Sequence, residues 1–257
     1  MTPVSDPASA RAPSVPPARY LFVSDVHLDD AAPEAQRQFL DFLRTRVAGA
    51  CALYILGDLF ESWVGDDDVG GERAAVQAAL RELTASGVAC FLLHGNRDFL
   101  IGGDFCRKTG CQLLPDPVVA AIGGEPVLLT HGDALCTDDH AYQELRSIVR
   151  KPAWQRRFLG LPLPDRQLLA NAVRAGSRAH TAQSIPKIMD VNTAAVAAAF
   201  KAARVRRIIH GHTHRPAVHD ALVEGQPVQR IVLGAWYEQG SYLTYENGRY
   251  ELLSLPR

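Results

Sequence analysis

No apolar run in this chain approaches the roughly 20 residues that a helix needs to cross a bilayer, and residues 1–18 (MTPVSDPASARAPSVPPA) lack the apolar centre of a signal peptide. These two absences predict a soluble protein, at most peripheral to a membrane. Cysteine is sparse and unpatterned. Cys51, Cys90, Cys106, Cys111 and Cys136 are odd in number and contain no CxxC pair, which excludes a disulfide scaffold and predicts reduced thiols acting as small core residues. Excess charge is also missing. Lys+Arg 27 against Asp+Glu 28 excludes nucleic-acid binding driven by overall charge, so any basic surface must be local. There is no internal repeat. What is present is ample apolar material, 47% of 257 residues, enough to bury about three quarters of the unfolded surface without disulfide or structural metal.

Residues 1–18, rich in Pro, Ala and Ser, cannot repay the entropy of ordering and are expected to form a disordered tail, with one domain over 19–257. Strand-length apolar runs occur at 20–23, 52–56, 88–93, 127–129, 205–209 and 228–233. Helical patterns lie between the early runs. Pro33 suits a first helical turn, followed by Phe39, Leu40, Leu43 and Val47 at helical spacing, and 74–83 reads likewise. Alternating strands and helices predict an α/β fold. From residue 226 the strands come closer together, with Glu246-Asn247-Gly248-Arg249 as a hairpin turn, and predict a second, antiparallel sheet region. The stretch of about 134–200 is helical in pattern and reads as an inserted cap. Within it, residues 146–187 hold nine basic residues (Arg146, Arg150, Lys151, Arg156, Arg157, Arg166, Arg174, Arg178, Lys187) against Asp165 alone. Such a face suits anionic lipid or phosphate, or is simply a solvated helix surface.

Each of five apolar runs ends in a polar cluster: Ser24-Asp25-Val26-His27, Gly57-Asp58-Leu59-Phe60-Glu61, Gly95-Asn96-Arg97-Asp98, His131-Gly132-Asp133 and Gly211-His212-Thr213-His214. One such cluster alone is usually turn chemistry. Five in succession are expected to converge at the carboxyl edge of an open sheet, where α/β proteins bind ligands. The donors are carboxylate, imidazole and amide with no thiolate, a set suited to Mn²⁺, and also to Fe or Zn, with two ions sharing one carboxylate. Plainer roles are expected nearby: Asp66-Asp67-Asp68 as an exposed acidic loop, Asp98 and Asp133 as caps or partners of ligand histidines, His94 and His210 as structural residues, and Trp63, Phe99 and Trp236 as core or pocket wall.

The D-x-H, GD, GN, H and GH-x-H blocks stand in the order found in calcineurin-like dinuclear metallophosphoesterases, which the chain resembles. The resemblance implies a four-layer α-β-β-α sandwich with a helical cap insertion. It also implies two Mn²⁺ ions per chain, with Asp25, His27 and His214 on one, Asn96, His131 and His212 on the other, and Asp58 between them. Asp25, His27, Asp58, Asn96, Arg97 and His131 are the candidate catalytic residues. Many members carry histidine after GN, able to protonate an alcohol leaving group, whereas this chain has Arg97. Arginine gives up no proton near neutral pH, so a leaving group that departs as an anion, such as phosphate, is expected.

The stretches YILGDLFESWVGDDD (54–68), HGNRDFL (94–100), HGDALCTDD (131–139), IMDVN (188–192), GHTHRPAVH (211–219) and VLGAW (232–236) narrow the resemblance to the UDP-2,3-diacylglucosamine hydrolases of lipid A synthesis, over the whole chain from Tyr20. That resemblance implies cleavage of a glycolipid nucleotide to UMP and 2,3-diacylglucosamine 1-phosphate by a hydroxide shared between the two ions, attacking the uridine-linked phosphorus. It implies substrate contacts at Asn96, Arg97, Asp139, Ser177 and His212, with Tyr142 one helical turn from Asp139, and a cap that holds the acyl chains. It also places the protein on the cytoplasmic face of the anionic inner membrane of a Gram-negative bacterium, with no nucleic acid and no obligate protein partner. Some members carry Asn and Lys four and seven positions after the serine; this chain has Thr181 and Ser184, with Lys187 one turn beyond. Two rivals are a nucleotide hydrolase of the same superfamily, which leaves the CTDD and IMDVN blocks and the basic stretch without a role, and a catalytically dead scaffold. The scaffold is expected to lack ligands, and here all seven positions are filled.

Overall fold

The computed structural model describes residues 18–183 and 190–256, giving backbone alone at residue 72 and at 176–183. Nearly all of the expected tail, together with Ser184, Lys187 and the side chains of Ser177 and Thr181, therefore lies outside the described residues. Strands β1 (Tyr20–Val23), β2 (Ala52–Ile55) and β3 (Ala89–Leu92) run parallel, with Tyr20 beside Ala52 and Ala52 beside Ala89. The short β4 (Gln112–Leu113) continues the sheet. Helices α1 (Pro33–Phe42), α2 (Glu72–Ala85) and α3 (Gly103–Thr109) make the crossovers. Pro33 stands in the first turn of α1, where its missing N–H costs nothing. Ala35, Phe39 and Phe42 then fall on one buried stripe, and the helical run to Val47 ends as a π-helical turn over Leu43–Val47.

The second sheet orders its strands as β5 (Val118–Ile122), β6 (Glu125–Leu129), β7 (Arg207–His210), β9 (Gln226–Val232) and β8 (Ala217–Val223), with β6, β7 and β9 parallel. Alternation of side chains divides the core into layers. Leu21, Val23, Leu53, Ile55 and Leu92 face α1 and α2, whereas Phe22, Tyr54, Leu56 and Leu93 face Val127, Leu129, Ile209 and Ile231 of the other sheet. Helix α7 (Thr193–Ala203) covers the far side through Phe200, packed with Leu128, Ile208 and Val228. The result is the four-layer α-β-β-α sandwich.

The last strands correct one expectation. The hairpin β10 (Gly240–Glu246) and β11 (Arg249–Leu255) turns through Asn247 and Gly248, both at positive φ, where it was expected. It forms no separate sheet with β9. Instead β10 pairs antiparallel with β1, Leu21 opposite Thr244, and closes the free edge of the first sheet, while β9 belongs to the second. Close spacing predicts that two strands pair with each other; it does not say which open edge receives them. The cysteine expectation holds for buried Cys90, Cys111 and Cys136, but Cys106 is only half-buried and Cys51, just ahead of β2, is exposed.

Between β6 and β7 lie α4 (His140–Val149), α5 (Pro152–Leu159) and α6 (Leu163–Gln183), then α7, which belongs to the sandwich instead. Asp139 caps α4 by accepting from Tyr142 N at 3.0 Å, and Asn192 caps α7 while donating to Asp138 Oδ1 at 2.9 Å. The TDD and DVN segments are thus joined to each other. Among the described residues no helix is long and apolar enough to cross a membrane.

Candidate metal centre

Parallel pairing brings the carboxyl ends of β1, β2 and β3 to one edge, and the facing sheet presents the ends of β6, β7 and β9 there. The five polar clusters follow five of these ends. Backbone pairing continues beyond the strands, Asp25 N to Gly57 O at 3.1 Å and His27 N to Asp58 O at 3.0 Å. Asp25, His27, Asp58, His212 and His214 all sit at positive φ. That conformation costs a residue with a β-carbon about 1–2 kcal/mol, so five such residues at one edge mark a site whose surroundings over-determine the backbone. Asp98 supplies part of that constraint as the expected cap, accepting from Leu59 N at 2.7 Å and Gly95 N at 2.9 Å. Close approach requires two glycines: a Cβ on Gly57 would lie 2.6 Å from Gly95 Cα, and one on Gly95 would strike the Asp58 carboxylate.

Two groups of donors result. Asp25, His27 and His214 offer atoms within 4.8 Å of one another, as do Asp25, Asp58 and His131. His27 Nε2 and His214 Nε2 face each other at 3.2 Å. Asn96 Oδ1 stands 2.9 Å from both His131 Nε2 and His212 Nδ1. Asp58 Oδ2 is 3.8 Å from His27 Nε2 and 3.8 Å from His131 Nε2, between the two sets. Second bonds orient the rings: His131 Nδ1 donates to Leu56 O and His27 Nδ1 to Glu61 Oε2, each at 2.9 Å, leaving Nε2 turned inward. The structure thus brings together all seven candidate ligands.

Electrostatics favour cations here. Asp25 and Asp58 are buried, and their ion pairs among the described residues are with imidazoles alone. Burial opposes charge on His27, yet Asp25, Glu61 and Asp58 outweigh it and raise its pKa to about 10. His131 is likewise held up at about 9 against burial, by Asp58 and Asp25. Burial lifts Asp58 to about 6 and, with the charge of His131 nearby, drops His212 to about 3. Two buried carboxylates amid imidazole and amide donors fit a pair of divalent ions, which would displace the protons of His27 and His131.

Arg97 lies beside this set, its backbone N–H donating to Asp58 Oδ1 at 2.7 Å, and its buried Nε has no hydrogen-bond partner among the described residues. Tyr142 stacks on His212 with ring centroids 5.9 Å apart and donates its hydroxyl to Asp133. The basic stretch differs from expectation. Arg146 Nε binds Asp133 at 2.8 Å, Arg150 reaches Gly95 O at 2.8 Å, and buried Arg166 pairs with Asp67, so three of its cations point into the molecule. The acidic loop is not simply exposed either: Asp66 accepts from Trp63 Nε1 and from the first amides of α3, and Asp68 is buried. Trp63 and Trp236 are core, as expected, and His94 and His210 bind backbone carbonyls.

Two residues had no assigned role. Glu61 was visible as the last residue of the second cluster, but its bond to His27 depends on loop geometry. Tyr237 follows the end of β9 and stacks on His27 at 4.9 Å. The rule that ligands gather at strand ends, applied to a sixth strand, would have found it.

A family model described as calcineurin-like phosphoesterase matches residues 18–216. The chain is 50% identical over 236 residues to a protein of Pseudomonas paraeruginosa named UDP-2,3-diacylglucosamine hydrolase, covering 92% of this chain and 98% of that one. Proteins of the same name from Xanthomonas campestris and Salmonella arizonae are 49% and 48% identical, covering 87% and 92% of this chain and 93% and 98% of theirs.

Proposed function

Because the chain belongs to the calcineurin-like phosphoesterases, and among them to the UDP-2,3-diacylglucosamine hydrolases, we propose that it hydrolyses UDP-2,3-diacylglucosamine to UMP and 2,3-diacylglucosamine 1-phosphate. The observation that carries this reading is Asp58, placed equally far from His27 and His131 between two complete donor sets. Our assignment puts Asp25, His27 and His214 on one ion and Asn96, His131 and His212 on the other, with Asp58 shared. Two Mn²⁺ ions bound there would supply a hydroxide at neutral pH and neutralise phosphate oxygens.

The chain's own residues do the rest. Water oxygen bonds to the uridine-linked phosphorus, the bond from that phosphorus to the bridging oxygen breaks, and the sugar phosphate leaves as an anion while one proton passes to solvent. Arg97 offers a permanent cation whose buried Nε has no hydrogen-bond partner among the described residues, and stabilises the departing phosphate without protonating it. Glu61 and Leu56 O keep the His27 and His131 rings from rotating out of line. Asp139, Tyr142 and Ser177, with Asn96 and His212, are assigned to the sugar phosphate arm.

Helices α4–α6 act as a cap for the acyl chains. They and the turns between them expose Leu145, Ile148, Leu159, Leu161, Leu168, Leu169 and Val173, together with Lys151, Arg156 and Arg157. Apolar side chains next to cations suit the cytoplasmic face of an anionic inner membrane, as in a Gram-negative bacterium. The test is UMP release from UDP-2,3-diacylglucosamine with Mn²⁺, beside an EDTA-treated sample and an aryl phosphodiester. EDTA-sensitive UMP release supports the reading; turnover of the aryl ester alone would keep the metal centre and discard the substrate.

A further inference from the structure

The proposed substrate has two arms, one on each side of its pyrophosphate. The acylated sugar phosphate is assigned to the end of the ligand set at Asn96 and His212, where α4 arrives through Tyr142. The other end of the set is His214, and beside it opens a cleft of about 480 Å³ lined by, among others, Pro216, Gly234, Tyr237, Gln239 and Ser254. Among the described residues, none of α4–α6 lines it. Its size falls within the roughly 300–1,000 Å³ of small-molecule sites. The loop after β9 forms its wall, and that loop leaves the same edge as the five ligand-bearing loops.

Tyr237 is the side chain that joins cleft to metal centre. Its ring lies nearly parallel to His27, 4.9 Å away at 15°, and edge-on to His214 at 5.4 Å. The residue is nevertheless 52% exposed, so part of its surface lies open beside the site. The lining also includes the Pro216 ring, Leu252 and Leu253, and the polar residues Glu238, Gln239 and Ser254. A flat base with carbonyl acceptors and an N–H donor, carried on a ribose, matches that mixture of stacking surface and hydrogen-bonding groups.

We propose that this cleft is the uridine subsite, taking the nucleoside arm of the substrate with Tyr237 as the stacking platform, an assignment that rests on the function proposed above. Separate housing for the two arms holds the pyrophosphate across the donor sets from both ends.

The test uses the full chain loaded with Mn²⁺, with UMP and inorganic phosphate as competing inhibitors of UDP-2,3-diacylglucosamine turnover. Tyr237→Ala is expected to weaken UMP inhibition about tenfold, the scale of one base–aromatic stack, and to leave phosphate inhibition unchanged. Tyr237→Phe retains the ring and is expected to retain UMP inhibition. Ser254→Trp, which fills the cleft from β11, is expected to weaken UMP selectively as well. Unchanged UMP inhibition in both Tyr237→Ala and Ser254→Trp would overturn the subsite, as would equal losses for UMP and phosphate. If the unaltered chain releases no UMP from the glycolipid, the substrate reading fails separately, and equilibrium binding of UMP against phosphate to the same variants still decides the subsite.

Discussion

At the strand-end edge Asp25, Asp58, Asp98 and His131 are buried and each is tied to backbone groups, whereas α4 and α5 contain no buried residue and expose Leu145, Ile148 and Leu159. The first region spends backbone strain to hold ligand atoms in place. The second keeps apolar side chains in water, a cost that the proposed lipid substrate or a membrane would relieve. On the function proposed above, chemistry and substrate capture fall to separate regions of this molecule. What joins them is a small set of polar bonds, chiefly Tyr142, Arg146 and Arg150 to Asp133, with Arg150 also on Gly95 O.

The largest expected effect strikes the edge alone. Asp58→Ala should reduce turnover of both glycolipid and aryl phosphodiester by well over the roughly 100-fold that an outer partner of a metal ligand costs, with metal content measured on the same sample. Comparable turnover in that variant would dissolve the distinction between the regions.

The next effect comes from pH. With folded pKa values raised to about 10 and 9, His27 and His131 hold protons across neutrality, and a cation must displace them. Raising pH toward those values relieves the competition and tightens metal binding; lowering it weakens binding. For each proton displaced, affinity should fall about tenfold per pH unit between pH 8 and 6. Calorimetry in buffers of different ionisation enthalpy measures the protons released, and release of none would contradict the assignment.

Severing the joint should affect one substrate more than the other. Asp133→Asn weakens the hold on Arg146 and Arg150 without touching a donor atom, and is expected to raise KM for the glycolipid about tenfold, the lower end for an outer-shell change, while kcat for the aryl diester stays nearly constant. Equal losses on both substrates would mean that the joint serves the metal centre itself. The smallest effect belongs to the exposed face: Leu168→Ser with Leu169→Ser should lower glycolipid turnover severalfold and retention on anionic vesicles in parallel, each lost apolar contact being worth about 1 kcal/mol, with aryl ester hydrolysis as the control.

The two regions also differed in how far sequence alone revealed them. Ligand positions were legible because a strand end followed by Asp, His or Asn has few other reasons to recur five times in succession. Asp98 was legible as a cap for the same local reason. The arginines of the helical stretch were not, because charge counting treats all cations alike and cannot show that Arg146 and Arg150 reach a buried Asp133 or that Arg166 is itself buried against Val64 O and Asp67. Asp66 is the same case, a carboxylate whose amide donors arrive from a helix 36 or more residues away. The edge joined by β10 was also hidden, since strand pairing is a choice between surfaces that the hairpin's own residues do not encode.

The most direct test of the central claim is a crystal structure of the Mn²⁺-loaded chain with anomalous scattering recorded at the manganese edge. The account predicts two peaks roughly 3.5–4 Å apart, one on Asp25, His27 and His214, the other on Asn96, His131 and His212, with Asp58 touching both. A single peak, or two that do not share Asp58, would contradict it.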